Sequence, residues 1–222
     1  MSEYESIRQN GKIAISLREG DTLFDVKEVE EDTIIGVAAN NSKMVNFPCS
    51  EVRPMGRTAS GVKGIDLAEG EEVVGVTTSL EGEHILAMTS KGFGKLTPVM
   101  DEDGSLTYRI TKRGAKGVTT LKANDKVGEL IAVRAVNLED DLMCITSAGI
   151  VIRTPLNQIR ICGRNTSGVK VMNLEGRQRI VSIAIVPHEE IDESLPEGEE
   201  VSEEEVGDVS VDTSLPNNES EE

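Results

Sequence analysis

The chain has 222 residues, enough for one or two domains with a sizeable core. Only 2% of them are aromatic and tryptophan is absent, so that core must rest on Val, Ile and Leu; with 21 glycines to supply turns, this favours many short strands. The formal charge of −17 is unevenly placed: residues 188–222 hold fifteen of the 40 acids and none of the 23 bases, leaving 25 acids against 23 bases in residues 1–187.

Several function classes drop out at once. No apolar run approaches the ~20 residues needed to span a bilayer. The opening Met-Ser-Glu-Tyr-Glu has neither the basic nor the apolar region of a signal peptide, so a cytoplasmic protein without a membrane partner is expected. Cys49, Cys144 and Cys162 form no CxxC and read as reduced thiols, while His84 and His188 stand too far apart for a zinc site. No Ser/His/Asp grouping and no cofactor turn is present, so neither catalysis nor a cofactor is expected of this chain.

An internal repeat of about fifty residues organises what remains, a period typical of propeller-like arrays. The first copy opens with Arg8-Gln9-Asn10-Gly11-Lys12-Ile13-Ala14-Ile15-Ser16-Leu17. The second reads Gly56-Arg57-Thr58-Ala59-Ser60-Gly61-Val62-Lys63-Gly64-Ile65-Asp66-Leu67. The third, Lys112-Arg113-Gly114-Ala115-Lys116-Gly117-Val118-Thr119-Thr120-Leu121, follows a longer surface loop around Asp101-Glu102-Asp103-Gly104. The fourth is Gly163-Arg164-Asn165-Thr166-Ser167-Gly168-Val169-Lys170-Val171-Met172-Asn173-Leu174.

Registering the copies on Gly11, Gly61, Gly117 and Gly168 aligns their apolar positions. Four residues on stand Ile15, Ile65, Leu121 and Met172, and six on stand Leu17, Leu67, Ala123 and Leu174, the alternation of a strand with one buried face. A second strand is predicted in residues 23–26, 73–76, 130–133 and 180–183. A third follows, ending in a turn at Asn40-Asn41-Ser42, Gly92 or Gly149. The returning strand reaches Pro48, Pro98 or Pro155, where the missing amide hydrogen should end it or leave it at an edge. Each copy is therefore expected to form a small antiparallel sheet of about four strands that packs on its neighbours. The acidic residues 188–222, with Pro196 and Pro216 and no periodicity, read as a disordered tail.

The copies also share charge. Arg57, Arg113 and Arg164 each stand four residues before the registered glycine, with Lys63, Lys112, Lys116 and Lys170 beside it. Two jobs fit such groups. On an exposed rim they would contact phosphates without reading bases; in repeat loops the arginines would instead bond neighbouring carbonyls and hold blades together, leaving the lysines to face DNA. The residues alone leave both open. The absence of interleaved aromatics disfavours single-strand stacking. The Gly-x4-Gly-Val-Lys spacing is not a nucleotide loop, because valine intervenes, the magnesium-binding hydroxyl is missing and a strand follows.

Two groups of motifs carry a family resemblance. One is Ser50-Glu51-Val52-Arg53-Pro54-Met55-Gly56-Arg57-Thr58-Ala59-Ser60-Gly61-Val62-Lys63-Gly64. The other comprises Lys91-Gly92-Phe93-Gly94-Lys95-Leu96-Thr97-Pro98, Gly149-Ile150-Val151-Ile152-Arg153-Thr154-Pro155 and Gly163-Arg164-Asn165-Thr166-Ser167-Gly168-Val169. Together they resemble the C-terminal domain of the DNA gyrase A family, over residues 2 to about 187. The resemblance implies an incomplete β-pinwheel at residues 1–187, a propeller-shaped array whose blades exchange strands, with residues 188–222 as its tail. It implies duplex DNA around a basic perimeter, wrapped in support of negative supercoiling by an enzyme that the rest of gyrase A completes with gyrase B. Those other parts of the enzyme are where ATP and Mg2+ belong. The DNA contacts it implies are Arg57, Lys63, Lys112, Arg113, Lys116, Arg164 and Lys170, with Lys95 and Arg153 as weaker candidates. The glycine- and arginine-rich box of the family's first blade and the DNA-cleaving domain are not among these residues. Two alternatives stand beside this reading: the corresponding domain of topoisomerase IV, and a propeller that binds other proteins. Two roles fit the acidic tail, competition with DNA for the cationic rim or a solubilising tail that makes no contact, and the residues leave both open.

Overall fold

The computed structural model describes residues 11–188; the acidic stretch expected to form a disordered tail lies outside the described residues except for His188. The architecture is all-β. Strands run in the order β1 Ile34–Ala39, β2 Lys43–Pro48, β3 Val73–Thr78, β4 His84–Thr89, β5 Phe93–Pro98, β6 Val118–Thr119, β7 Leu130–Val136, β8 Asp140–Thr146, β9 Val151–Pro155, β10 Val169–Lys170 and β11 Ile180–Pro187.

Three hairpins supply the centre of three sheets. The pairs β1–β2, β4–β5 and β8–β9 turn through Ser42, Gly92 and Gly149, all at positive φ, the last two at +80° and +78°. Each returning strand ends on its proline, at Pro48, Pro98 and Pro155, because the ladder needs an amide hydrogen that proline lacks.

The sheets are not built copy by copy. Their strand orders are β3-β1-β2-β6, β10-β5-β4-β7 and β11-β8-β9. Each hairpin is flanked on one side by the long strand of the next copy (β3, β7 or β11), and two of them on the other side by a two-residue strand from the copy after that (β6 or β10). Residue periodicity alone predicts a self-contained sheet per copy; instead successive copies contribute to one sheet, the strand exchange that the family resemblance implies. The expected first strand shrinks to the two residues after the glycine in the third and fourth copies and does not form in the first and second, while Ile65, Leu121 and Met172 plug the core, each no more than 5% exposed. In the first copy Ile15 is 44% exposed, and residues 23–26 form no strand.

The sheets bury their faces against one another. Along β4 the side chains alternate: Ile85 and Ala87 join Met44, Tyr108 and Leu130 in one core, and Leu86 and Met88 join Leu142, Leu156 and Ile180 in another. A central strand buried on both faces reads as a continuous apolar run, which His84-Ile85-Leu86-Ala87-Met88 is from its second residue on.

Candidate nucleic-acid interface

The three repeat arginines occupy equivalent places and make equivalent bonds. Arg57 Nη1 donates to the Ile13 carbonyl at 2.7 Å, Arg113 Nη1 to the Lys63 carbonyl at 2.7 Å, and Arg164 Nη1 to the Thr119 carbonyl at 2.6 Å. Every acceptor stands two residues after the registered glycine of the preceding copy. Arg113 Nε also reaches the Glu51 carbonyl at 3.3 Å. A guanidinium is suited to this because its planar fork of donors satisfies carbonyls that a short strand leaves unpaired. These side chains latch successive copies together, the structural of the two jobs open to them.

The lysines divide. Lys63 is solvent-exposed and paired with Asp66 at 2.8 Å; that bond holds the Asp66 carboxyl below its usual value, with Lys116 adding at longer range. Lys112, Lys116 and Lys170 are exposed. Lys95 lies in β5 with no exposed surface, and its Nζ donates to the carbonyls of Gly163 at 2.8 Å and Arg164 at 2.6 Å and to Thr166 Oγ1 at 3.3 Å. Burial pushes its ammonium down to about 8. Lys95 therefore faces inward and cannot meet a phosphate where it stands. Arg153 on β9 is held by Asp141, Nε to Oδ2 at 2.7 Å, and its Nη2 donates to the Pro187 carbonyl at 2.9 Å; His188 Nδ1 lies 2.9 Å from the same carboxylate.

A second basic group was not singled out by the repeat. Lys91, Lys126, Lys170, Arg177 and Arg179 line an open cleft of about 610 Å3 together with Phe93, Leu174, Gly176 and Gln178. No carboxylate lines it. Lys91 Nζ donates to the Asp125 carbonyl, whereas among the described residues the cationic side chains of Lys126, Lys170, Arg177 and Arg179 make no hydrogen bond or ion pair, the amides of Lys126 and Arg179 alone donating to Asn124 Oδ1 and Ser147 Oγ. The turn of β4–β5 carries Lys91, the two-residue strand β10 carries Lys170, and the connection into β11 carries the two arginines. Of the five, only Lys170 follows from the repeat. Arg179 stands where the other copies have Glu72 and Glu129, as the shared backbone bonds to Asn40, Ser90 and Ser147 show. A search for recurring bases passes over a cleft that exists once; the signal available was the local run Gly176-Arg177-Gln178-Arg179.

The five cations share this cleft with the apolar side chains of Phe93 and Leu174 and no carboxylate, while Lys91 and Arg179 also line a neighbouring pocket that holds Asp125 and Glu129; such a concentration of positive charge is suited to a polyanion. Among the described residues no group of three metal-ligating side chains comes together, and no helix is long and apolar enough to cross a membrane. The three cysteines are free thiols.

Comparison with known proteins places this geometry. The family described as DNA gyrase C-terminal domain, beta-propeller, matches residues 1–30, 37–79, 83–137 and 140–187. The DNA gyrase A subunit of Ureaplasma parvum is 48% identical over 196 residues, covering 88% of this chain and 23% of that protein. The DNA gyrase A subunit of Staphylococcus aureus is 39% identical over 207 residues, 91% of this chain and 22% of its own length. The chain thus spans less than a quarter of the curated relatives it matches. Two solved structures share the fold: a DNA gyrase A C-terminal domain with TM-score 0.68 at 24% identity, covering 80% of this chain and 59% of that one, and the C-terminal domain of DNA topoisomerase IV with TM-score 0.72 at 23% identity, covering 83% and 56%. From the strand exchange, the repeat and these matches together, the chain belongs to the DNA gyrase C-terminal domain family.

Proposed function

We propose that this chain binds the phosphate backbone of duplex DNA as the C-terminal part of a bacterial gyrase A protein, in the cytoplasm, and so supports supercoiling by the enzyme that the remainder of gyrase A completes with gyrase B. The observation that carries the reading is the cleft of Lys91, Lys126, Lys170, Arg177 and Arg179, whose cations have no carboxylate among the residues that line the cleft with them. Lys63, Lys112 and Lys116 are further outward bases of the registered segments. The arginines serve the DNA indirectly, by keeping the bases in place.

Contacts of this kind carry no base information and make binding steep in salt. If each of the five cleft cations neutralises one phosphate, they contribute about −4.5 to the slope of log affinity against log salt, at roughly −0.9 per contact. The test is fluorescence anisotropy of the full chain with a labelled duplex over a salt series. Replacing Lys170, Arg177 and Arg179 together by Gln is expected to flatten the slope by about 2.7. Arg113→Gln is expected to lower stability and leave the slope near that of the parent. A cleft variant with unchanged slope and affinity would overturn the assignment.

A further inference from the structure

Each basic motif carries two arginines four residues apart, and their surroundings differ. Arg57, Arg113 and Arg164 latch a carbonyl of the preceding copy. Arg53, Arg109 and Arg160, each eight residues before a registered glycine, are exposed, and among the described residues their side chains make no hydrogen bond or ion pair. An apolar residue follows each of them: Pro54, Ile110 and Ile161. Both isoleucines stand in water, 49% and 46% exposed.

Backbone pairing fixes where two of these pairs stand. Ile110 bridges to Asn46 and Ile161 to Leu96, both in parallel. The Thr111 amide donates to the Asn46 carbonyl at 2.7 Å. In the next sheet the Leu96 amide donates to the Arg160 carbonyl at 3.2 Å, and the Cys162 amide to the Leu96 carbonyl at 2.8 Å. Residues 109–111 and 160–162 therefore border β2 and β5 on the sides away from β1 and β4. The opposite ends of the same two sheets are β3 and β7, which pack against each other. The pairs Arg109-Ile110 and Arg160-Ile161 thus recur at the margins farthest from the place where the sheets meet.

A phosphate accounts for an unpaired guanidinium, but it gives nothing to a bare isoleucine beside it. The minor groove of a duplex suits both. Its negative potential draws arginine, and its base steps accept an apolar side chain. We propose that Arg109-Ile110 and Arg160-Ile161 enter the minor groove of duplex DNA at these margins. Arg53-Pro54 repeats the chemistry, since proline also enters between base steps. Acids flank the two margins differently. Glu51 is turned onto the Arg113 amide at 3.0 Å, whereas Asp101, Glu102 and Asp103 share an open pocket with Ile161. Those three carboxylates oppose a phosphate there, so Ile110 contributes more than Ile161.

This inference rests on the duplex-binding reading above and adds a contact that the cleft does not make. Its test uses the full chain and a labelled A·T-rich duplex, with netropsin to fill the minor groove and methyl green to fill the major groove. Ile110→Ser is expected to weaken binding about fivefold, the effect of covering a half-exposed isoleucine. The salt slope should stay at its parent value, because no charge is lost. Netropsin is expected to displace the parent protein and methyl green to leave it bound. The fourfold variant Arg109→Gln, Ile110→Ser, Arg160→Gln, Ile161→Ser should bind the bare and the netropsin-filled duplex equally. All four positions are exposed, and an unchanged circular dichroism melt shows that this variant is folded. Parent affinity in Ile110→Ser, indifference of the parent to netropsin, or full displacement of the fourfold variant would each overturn the proposal. In those cases salt-steep binding of the bare duplex keeps the phosphate reading of the cleft, while a parent that binds no duplex overturns both.

Discussion

Replacing Gly117 by alanine tests whether the two-residue strand is held by close contact or merely lies nearby. Two costs arise together. At φ +79° an L-residue pays about 1–2 kcal/mol for the left-handed conformation. The new methyl would also stand 2.5 Å from the Met44 oxygen and 2.7 Å from its carbonyl carbon, both main-chain atoms that cannot rotate aside. The strand must lift, and with it go bonds such as that from the Thr120 amide to the Ser42 carbonyl at 2.9 Å. Two such bonds are worth on the order of 1 kcal/mol each, giving a total near 3–4 kcal/mol. Gly61→Ala is the control: its φ is +78°, but nothing lies within 4 Å, so only the conformational cost of about 1–2 kcal/mol applies. For a domain of this size the difference of roughly 2 kcal/mol is a gap of about 4–8 °C in Tm, measurable by circular dichroism melting. Equal melting of the two variants would refute the reasoning, because it would mean that docking of β6 contributes nothing to the fold.

Three further outcomes are expected. Arg164→Gln loses a half-buried charge-assisted bond to the Thr119 carbonyl and should cost about 1.5–3 kcal/mol in denaturant unfolding. Lys95 gives a pH signature: its folded pKa is depressed to about 8 from 10.5, so above pH 8 the unfolded chain holds a proton that the folded one has released, and stability should rise with pH. The contribution is about 1 kcal/mol between pH 8 and 9, because the folded ammonium is half deprotonated at pH 8 and nearly fully at pH 9. Higher pH brings opposing terms from Cys144 and Tyr108, whose pKa values are raised to about 11 and 12. Unfolding titrations of the parent and Lys95→Met should therefore differ in slope within that window. Deleting residues 189–222, which carry fifteen acids and no base, is expected to tighten duplex binding at fixed salt; unchanged affinity would remove these residues from any competition with DNA.

The hairpins were legible because their punctuation is covalent. Proline at 48, 98 and 155 and glycine at 92 and 149 fix ends and turns whatever surrounds them. Which copy a strand joins was not legible from periodicity, since β6 and β10 are two residues long and carry no pattern of their own. Lys95 was misplaced by its residue type. Its counterparts are Val45, fully buried, and Ile152, so the aligned position is an apolar one that a lysine occupies by reaching carbonyls with its tip. The arginines were found as a set, but a sequence does not say whether a guanidinium meets a phosphate or a carbonyl. Their acceptors lie 44, 50 and 45 residues away. The cleft escaped because only one copy builds it.

Sharing each sheet among successive copies also sets the timing of biosynthesis. The hairpin ending at Pro48 receives its last strand at Val118, seventy residues downstream. At ribosomal speeds of about 5–20 residues per second that wait is several seconds, during which the β2 edge stays bare. The nascent chain thus emerges with a lag built into its order of assembly, and chaperones that shield bare strand edges would act in that interval. Among the described residues the third copy is the most widely shared, giving β6 to the first sheet and β7 to the second besides β8 and β9 to its own.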